Sequence, residues 1–396
     1  MKKKRLVAYY SHLQMMYLGK DAVLIPTYLS EMMHLKGYFY YNSKLGDDPL
    51  PKGYRGSQLI RLSQNEPTFW QQLFQMIRHI VLPARSIDVV FLLNTTHQVL
   101  LTTILYKWVN PKGKVMVMGD YDDSWIDKIK QNGFLGKRTG IKRKLMSKFV
   151  NTFFRKCDAF SIANEAVLQA CIPLFHKNNW NNLVHCYPGI DDKLFNELNL
   201  KERPWDEKEN IILYVGRIGA HQKNTDMILD AAAQTDLKDW KIILIGPITD
   251  DFSTTSSSKY TQKIEAFYRQ NPQLKDKIIF TGAIYDPKII FDYYNRAKIL
   301  LMTSRHEGFS NVLSQAAALG CYILSTEVGG ASIASNNWEF GHKLKQEDSI
   351  YLSQILTQIV NGELHYDFTQ RLTFDKLSWS NMLKEKVLPK LSKHTK

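Results

Sequence analysis

The stretch SRHEGFSNVLSQAAALG, residues 304–320, holds a strand end, a Glu-Gly turn and a helix start. The apolar run Ile299–Met302 before it predicts a buried strand, and Asn311–Leu319 predicts a helix. Between them Gly308, Phe309, Ser310 and Asn311 lead into the helix, so their backbone N–H groups should face whatever lies beyond the strand. Helix N-termini attract phosphate for that reason. Glu307, just before them, would usually be no more than a partner of the helix dipole.

Working outward, short β-branched runs recur at Ile211–Val215, Ile242–Ile245, Ile278–Phe280 and Tyr322–Leu324. Helix-like segments alternate with them at Asp226–Gln234, Tyr260–Gln270 and Pro287–Arg296. Continuously apolar strands alternating with helices imply a parallel sheet covered on both faces. The first half repeats the rhythm at Leu6–Tyr10, Gly37–Tyr41, Val89–Leu93, Val115–Met118, Ala159–Ala163 and Leu183–Tyr187. The expectation is two doubly wound α/β domains, 1–195 and 196–370, with 371–396 returning to the first. The boundary is the polar stretch Asp191–Asn210, and Thr249–Lys259 (TDDFSTTSSSK) reads as a flexible loop. Ligands of such domains are expected at the carboxyl ends of the strands, in a cleft where the two domains face each other.

The composition is that of a soluble globular protein, with 44% hydrophobic and 23% charged residues. The net charge of +14 lies mostly in residues 1–200, with 27 Lys/Arg against 15 Asp/Glu. Between Lys128 and Lys156 there are ten basic residues and no acidic one, interleaved with Phe134, Leu135, Ile141, Leu145, Met146, Phe149, Val150, Phe153 and Phe154. Such a stretch suits an anionic membrane surface; nucleic acid is the competing partner and is not expected. Cys157, Cys171, Cys186 and Cys321 form no C-x-x-C pair and read as free thiols in a reducing compartment. The start MKKKRLVAYYSH has a basic head, but its apolar run stops at Ser11, too short for a signal peptide, so the expectation is a cytoplasmic protein. Attachment to the inner face of a membrane is the finer expectation.

A second loop carries chemistry. In YVGRIGAHQKN, residues 214–224, a strand ends in Gly216-Arg217 and Lys223 precedes the next helix. A Gly lets a ligand approach the backbone, while an Arg fork and a Lys point charge suit a diphosphate. A tight turn with two solvated cations would look the same.

Together these pieces resemble glycosyltransferase family 4, retaining enzymes of the GT-B fold. The resemblance rests on VGRIGAHQKN, IILIG, IIFTG, SRHEGFSNVLSQAAALG and STEVGG, in that order over residues 211–330. Fainter matches occur at YLGKDAVLIPTYLSEMMHLKGY, IDVVFLLNTTHQ, KCDAFSIANEAV and YPGIDDKLF in the first half, and at Leu377-Ser378-Trp379. The resemblance implies that Arg217 and Lys223 hold the donor diphosphate, with Gly308 to Asn311 giving backbone donors. Glu307, first Glu of the family's E-x7-E motif, would contact the sugar, and Gly19 would line the phosphate side. The implied reaction moves a sugar from a nucleotide-diphosphate donor, UDP- or GDP-linked, to a glycan or lipid-linked acceptor with retention, using no metal or other cofactor.

Two departures stand out. The motif's second Glu, which the resemblance assigns to the nucleotide ribose, is Gln315 here. Where many relatives carry a His after the strand at Val115–Met118, this chain has Gly119-Asp120-Tyr121-Asp122-Asp123. Asp120 is the candidate to replace that His as a catalytic or acceptor contact, and His97 the second. The DYD triplet also admits a metal-dependent GT-A enzyme, disfavoured because the phosphate-type loops lie far downstream. No G-x-G-x-x-G or Walker loop supports oxidoreduction or ATP hydrolysis. A non-catalytic nucleotide-sugar-binding scaffold is the alternative from another class.

Overall fold

The computed structural model describes residues 4–249 and 259–392. Most of the Ser/Thr-rich stretch, residues 250–258, lies outside them. The chain forms two compact units, Met1–Asp191 with Ser378–Lys396, and Asp192–Leu377.

The N-terminal unit is built on β1 (Arg5–Tyr10), β2 (Lys36–Asn42), β3 (Gly53–Tyr54) and β4 (Ser57–Ser63). It continues with β5 (Val89–Leu93), β6 (Lys114–Gly119), β7 (Ala159–Ile162) and β8 (Leu183–His185). Their order is β3-β4-β2-β1-β5-β6-β7-β8, parallel except for the β3–β4 hairpin. Strand β6 (KVMVMG) is buried along its whole length, as a strand with helices on both faces must be. One face of the sheet, including Val7, Val90 and Val117, packs under Met76, Ile104 and Phe153. The other, including Leu6, Phe91 and Met116, packs under Tyr28, Trp379 and Val387. The chain's last segment thus belongs to this core, and the Trp379 N–H donates to the Ile190 carbonyl at 3.0 Å.

The C-terminal unit holds β9 (Glu209–Val215), β10 (Lys241–Ile245) and β11 (Ile278–Gly282). It then adds β12 (Ala297–Met302), β13 (Tyr322–Thr326) and β14 (Gly341–Leu344). All pair in parallel in the order β11-β10-β9-β12-β13-β14. The chain runs outward from β9 to β11, then returns to β9's other side as β12. Ligands of such sheets sit beyond the carboxyl ends of the strands at that reversal. The α/β architecture expected from sequence is present in both units. Strands β3, β4 and β14 are additions: GHKL in β14 carries one large apolar side chain, Leu344, too little pattern to read.

All four cysteines are buried and unbridged. No helix among the described residues is long and apolar enough to cross a membrane.

Candidate functional site

In the C-terminal unit the two chemistry-bearing loops leave β9 and β12, the strands that flank the reversal. The first turns at Gly216-Arg217, passes Lys223 and enters the helix Thr225–Ala232 through Asn224, whose φ of +47° is left-handed. Asn tolerates that conformation better than most residues. Gly246, at the end of β10, lies beneath the turn. Its φ is +151°, and a Cβ there would stand 1.8 Å from the Gly216 carbonyl oxygen. Only a glycine fits.

The second loop brings Glu307 to the first. Lys223 Nζ lies 2.5 Å from Glu307 Oε1, and both side chains are largely buried. Gln222 joins them: its Nε2 donates to the His306 carbonyl at 2.9 Å and more weakly to Glu307 Oε2 at 3.4 Å. Its Oε1 accepts from Arg217 Nη2 at 2.9 Å. Arg217, itself exposed, is thereby tied to the Glu307 loop through one amide. Thr303 Oγ1 fixes the spacing of the loops by donating to the carbonyls of Lys223 and Asn224, at 3.1 and 3.0 Å.

Arg305 forms a two-pronged ion pair with Glu347, its Nε 2.6 Å and its Nη2 2.9 Å from the carboxylate oxygens. It also donates to the His221 carbonyl. Neither Gln222 nor Glu347 was singled out in the sequence. Gln222 sits inside the quoted loop and its polarity was the available signal. Glu347 is brought in only because β14 lies two strands from β12.

Gly308 to Asn311 connect Glu307 to the helix Asn311–Ala318, and the Ser310 side chain makes no capping hydrogen bond there. Phe309 lies against Gly330 of the STEVGG segment; a Cβ on that glycine, φ +92°, would come within 2.9 Å of the ring. Gln315 stands half-buried on the second turn of the same helix. The structure therefore gathers Arg217, Lys223, Glu307 and Gly308–Asn311 at one sheet end, with Gln315 one helical turn behind.

The N-terminal unit has its own set at the carboxyl ends of β1, β5 and β6. Asn94, left-handed at φ +61°, links the last two: its Oδ1 accepts from the Asp120 N–H at 3.0 Å. Its own N–H donates to the Met118 carbonyl at 2.7 Å. Burial and the Asp122 carboxylate push the Asp120 carboxyl above its ordinary range, with Lys20 opposing. Asp21, not noticed in the sequence, opens the helix Asp21–Met32. Burial first, and then Asp120, raise its carboxyl to about 6, against an opposing hydrogen bond from the Ala22 N–H.

The other two acids of this turn are otherwise engaged. Asp122 accepts from the Ser124 N–H at 3.0 Å and Asp123 from Asn164 Nδ2 at 2.8 Å. Exposed His97 opens the helix His97–Val109, with its Nε2 3.2 Å from Arg138 Nη2. Gly19 is exposed and a Cβ there would meet nothing within 4 Å, so neither packing nor a left-handed backbone requires glycine at that position.

Two Rossmann-like units of this topology make the GT-B architecture. The chain is similar to the apo lipopolysaccharide outer core galactosyltransferase WaaB, with TM-score 0.63 and 14% identity over 96% of this chain and 97% of that one. It is also similar to Anabaena Alr3699/HepE in complex with UDP, with TM-score 0.60 and 14% identity over 96% and 94%. Residues 195–372, which include the whole Arg217–Glu307 cluster, match the family described as Glycosyl transferases group 1. Among sequence relatives, the amylovoran biosynthesis glycosyltransferase AmsD of Erwinia amylovora is 25% identical over 216 residues, 54% of this chain. That match spans about half of the relative's length, 51%.

Proposed function

We propose that this protein is a glycosyltransferase that moves a sugar from a nucleotide-diphosphate donor to an acceptor hydroxyl. The observation that carries the reading is the Lys223–Glu307 contact beside Arg217 and the helix Asn311–Ala318, at the reversal of a parallel sheet. Breaking a glycosyl–phosphate bond leaves negative charge on the diphosphate while positive charge builds at the anomeric carbon. In this reading Arg217, Lys223 and the helix N-terminus would take the first charge, with no metal ion called for. Glu307, held by Lys223 and Gln222, would accept from a sugar hydroxyl, so the cation on the leaving group and the sugar contact are coupled.

The motifs of residues 211–330 favour the retaining family 4 type within this class. UDP in the HepE structure favours a UDP-sugar donor, and a role for AmsD in amylovoran biosynthesis favours a surface-glycan or lipid-linked acceptor. The carboxyl ends of β1, β5 and β6 are assigned to that acceptor. Asp120 is the titratable side chain proposed to contact it. His97 is the weaker candidate, since it faces Arg138.

The test uses slow donor hydrolysis, which needs no acceptor. Purified protein is incubated with UDP- and GDP-sugars and the released nucleoside diphosphate is followed. Release with one donor, lost by at least about a hundredfold in Glu307→Ala, supports the reading, one such contact being worth roughly 3 kcal/mol in the transition state. NMR of the freed sugar tests retention. A protein that binds the nucleotide but never releases a sugar, with or without membrane extract as acceptor source, would be the scaffold instead.

A further inference from the structure

Three helices pack side by side on one face of the N-terminal sheet: Phe69–Met76 with its continuation Ile77–Val81, His97–Val109, and Gly140–Lys156. Their inner sides supply Met76, Ile80, Val99, Ile104, Val150 and Phe153 to one core. Their outer sides are unlike an ordinary solvated surface.

The three helices contain no Asp or Glu and carry eight Lys/Arg. Large apolar side chains nevertheless point outward: Trp70 is 74% exposed, Phe74 63%, Trp108 66%, Ile141 75% and Leu145 64%. Leu82, just past the first helix, is 74% exposed. Trp70 and Phe74 are one turn apart, as are Ile141 and Leu145. Leu101, Leu105 and Trp108 fall on one stripe of the central helix, and both leucines are only half-buried. Single exposed apolar residues are normal, but a set spread over three adjacent helices marks a binding surface.

Charge decides what it binds. Protein interfaces are depleted in Lys at their centres, whereas here Lys142, Lys144 and Lys148 are interleaved with Ile141 and Leu145. Lysines without competing acids, beside outward tryptophans, match the boundary between anionic headgroups and acyl chains. The sequence alone had paired this charge with the apolar residues of 128–156. Of those, only Ile141 and Leu145 are exposed, because Phe134, Phe153 and Phe154 pack into an aromatic cluster with Phe160, Phe175 and Trp180. The outward-facing apolar groups come mainly from the two other helices.

We propose that this three-helix face docks the protein on an anionic bilayer. Trp70, Phe74, Leu82, Trp108, Ile141 and Leu145 lie at the headgroup–acyl boundary, and Lys142, Lys144 and Lys148 meet lipid phosphates. The inference rests on the N-terminal unit alone and is independent of the glycosyl-transfer reading.

Full-length protein is sedimented with vesicles of phosphatidylcholine, with and without phosphatidylglycerol. Wild type should bind only the anionic vesicles, with a blue shift in tryptophan emission. Lys142→Glu/Lys144→Glu/Lys148→Glu should weaken binding by about a hundredfold, and Trp70→Ser/Phe74→Ser/Trp108→Ser by about tenfold or more. All these positions are exposed, and unchanged melting temperatures would show that both variants fold. Glu307→Ala should bind like wild type whether or not the transfer reading holds. Absence of wild-type binding would overturn the proposal. So would a charge variant that loses binding while the apolar variant keeps it, the pattern of a nucleic-acid or other polyanion surface.

Discussion

Gln222 ties the two loops of the candidate site together. One amide joins Arg217, the His306 carbonyl and Glu307. Arg217, Lys223 and Glu307 were legible because each sits in a contiguous motif. Their direct contact, and the Arg305–Glu347 clamp beneath, depend on strand order and were not. Gln315→Glu should restore the motif's carboxylate and tighten nucleoside-diphosphate binding about fivefold, since hydrogen bonds to charged groups exceed neutral ones by roughly 1 kcal/mol. Calorimetric titration measures this, and equal affinity would remove Gln315 from the nucleotide's reach.

Asp21 gives a second prediction, on pH. Its folded carboxyl titrates near 6, above the unfolded value, so the stability from its protonation is present in acid and lost as pH rises to 6. Asp21→Asn should therefore gain on wild type between pH 4 and pH 7, by about 1–2 kcal/mol allowing for partial exposure. Denaturant melts at both pH values check it; a pH-independent difference would contradict it.

At the scale of elements, the strands that position the site were the easiest to read. Runs such as IILYV and ILLM, short, apolar and alternating with helical segments, fit a sheet covered on both faces. Strand β4 (SQLIRLS) was missed because its alternation is short and bounded by polar residues, and β14 because most of it is polar. In the sequence the glycines of STEVGG stand only as part of a motif; the physical role of Gly330 lies in the Phe309 ring packed against it. Gly330→Ala would strain a left-handed backbone and push the ring away, which should cost about 1–3 kcal/mol. It should also weaken nucleotide binding, because Phe309 lies between Glu307 and the helix start. A thermal melt with and without nucleotide reads both effects, and an unperturbed protein would show that the ring has room to move.

For the whole molecule, the sequence leads one to expect units 1–195 and 196–370 with 371–396 returning, whereas the compact units divide after Asp191 and Leu377, and the tail's energetic weight is legible only in the structure. Trp379 is 1% exposed, and Met382, Leu383, Val387 and Leu391 are also buried in the N-terminal unit's core. Trp379→Ala should cost about 3–5 kcal/mol. Calorimetry should show the loss in the N-terminal unit's transition, with the C-terminal unit's transition little changed. An equal fall in both would mean that the units unfold as one.

The central claim is that the loops at the ends of β9 and β12 form one site for a nucleoside diphosphate. A thermal-shift titration with UDP, GDP, ADP and CDP, on wild type, Arg217→Ala and Lys223→Ala, tests it most directly. At a hundred times its dissociation constant the right nucleotide should stabilise the protein by about 2.7 kcal/mol. A shift with one base, lost in both variants, is the predicted result. No shift with any nucleotide, or a shift that survives both substitutions, would contradict the account.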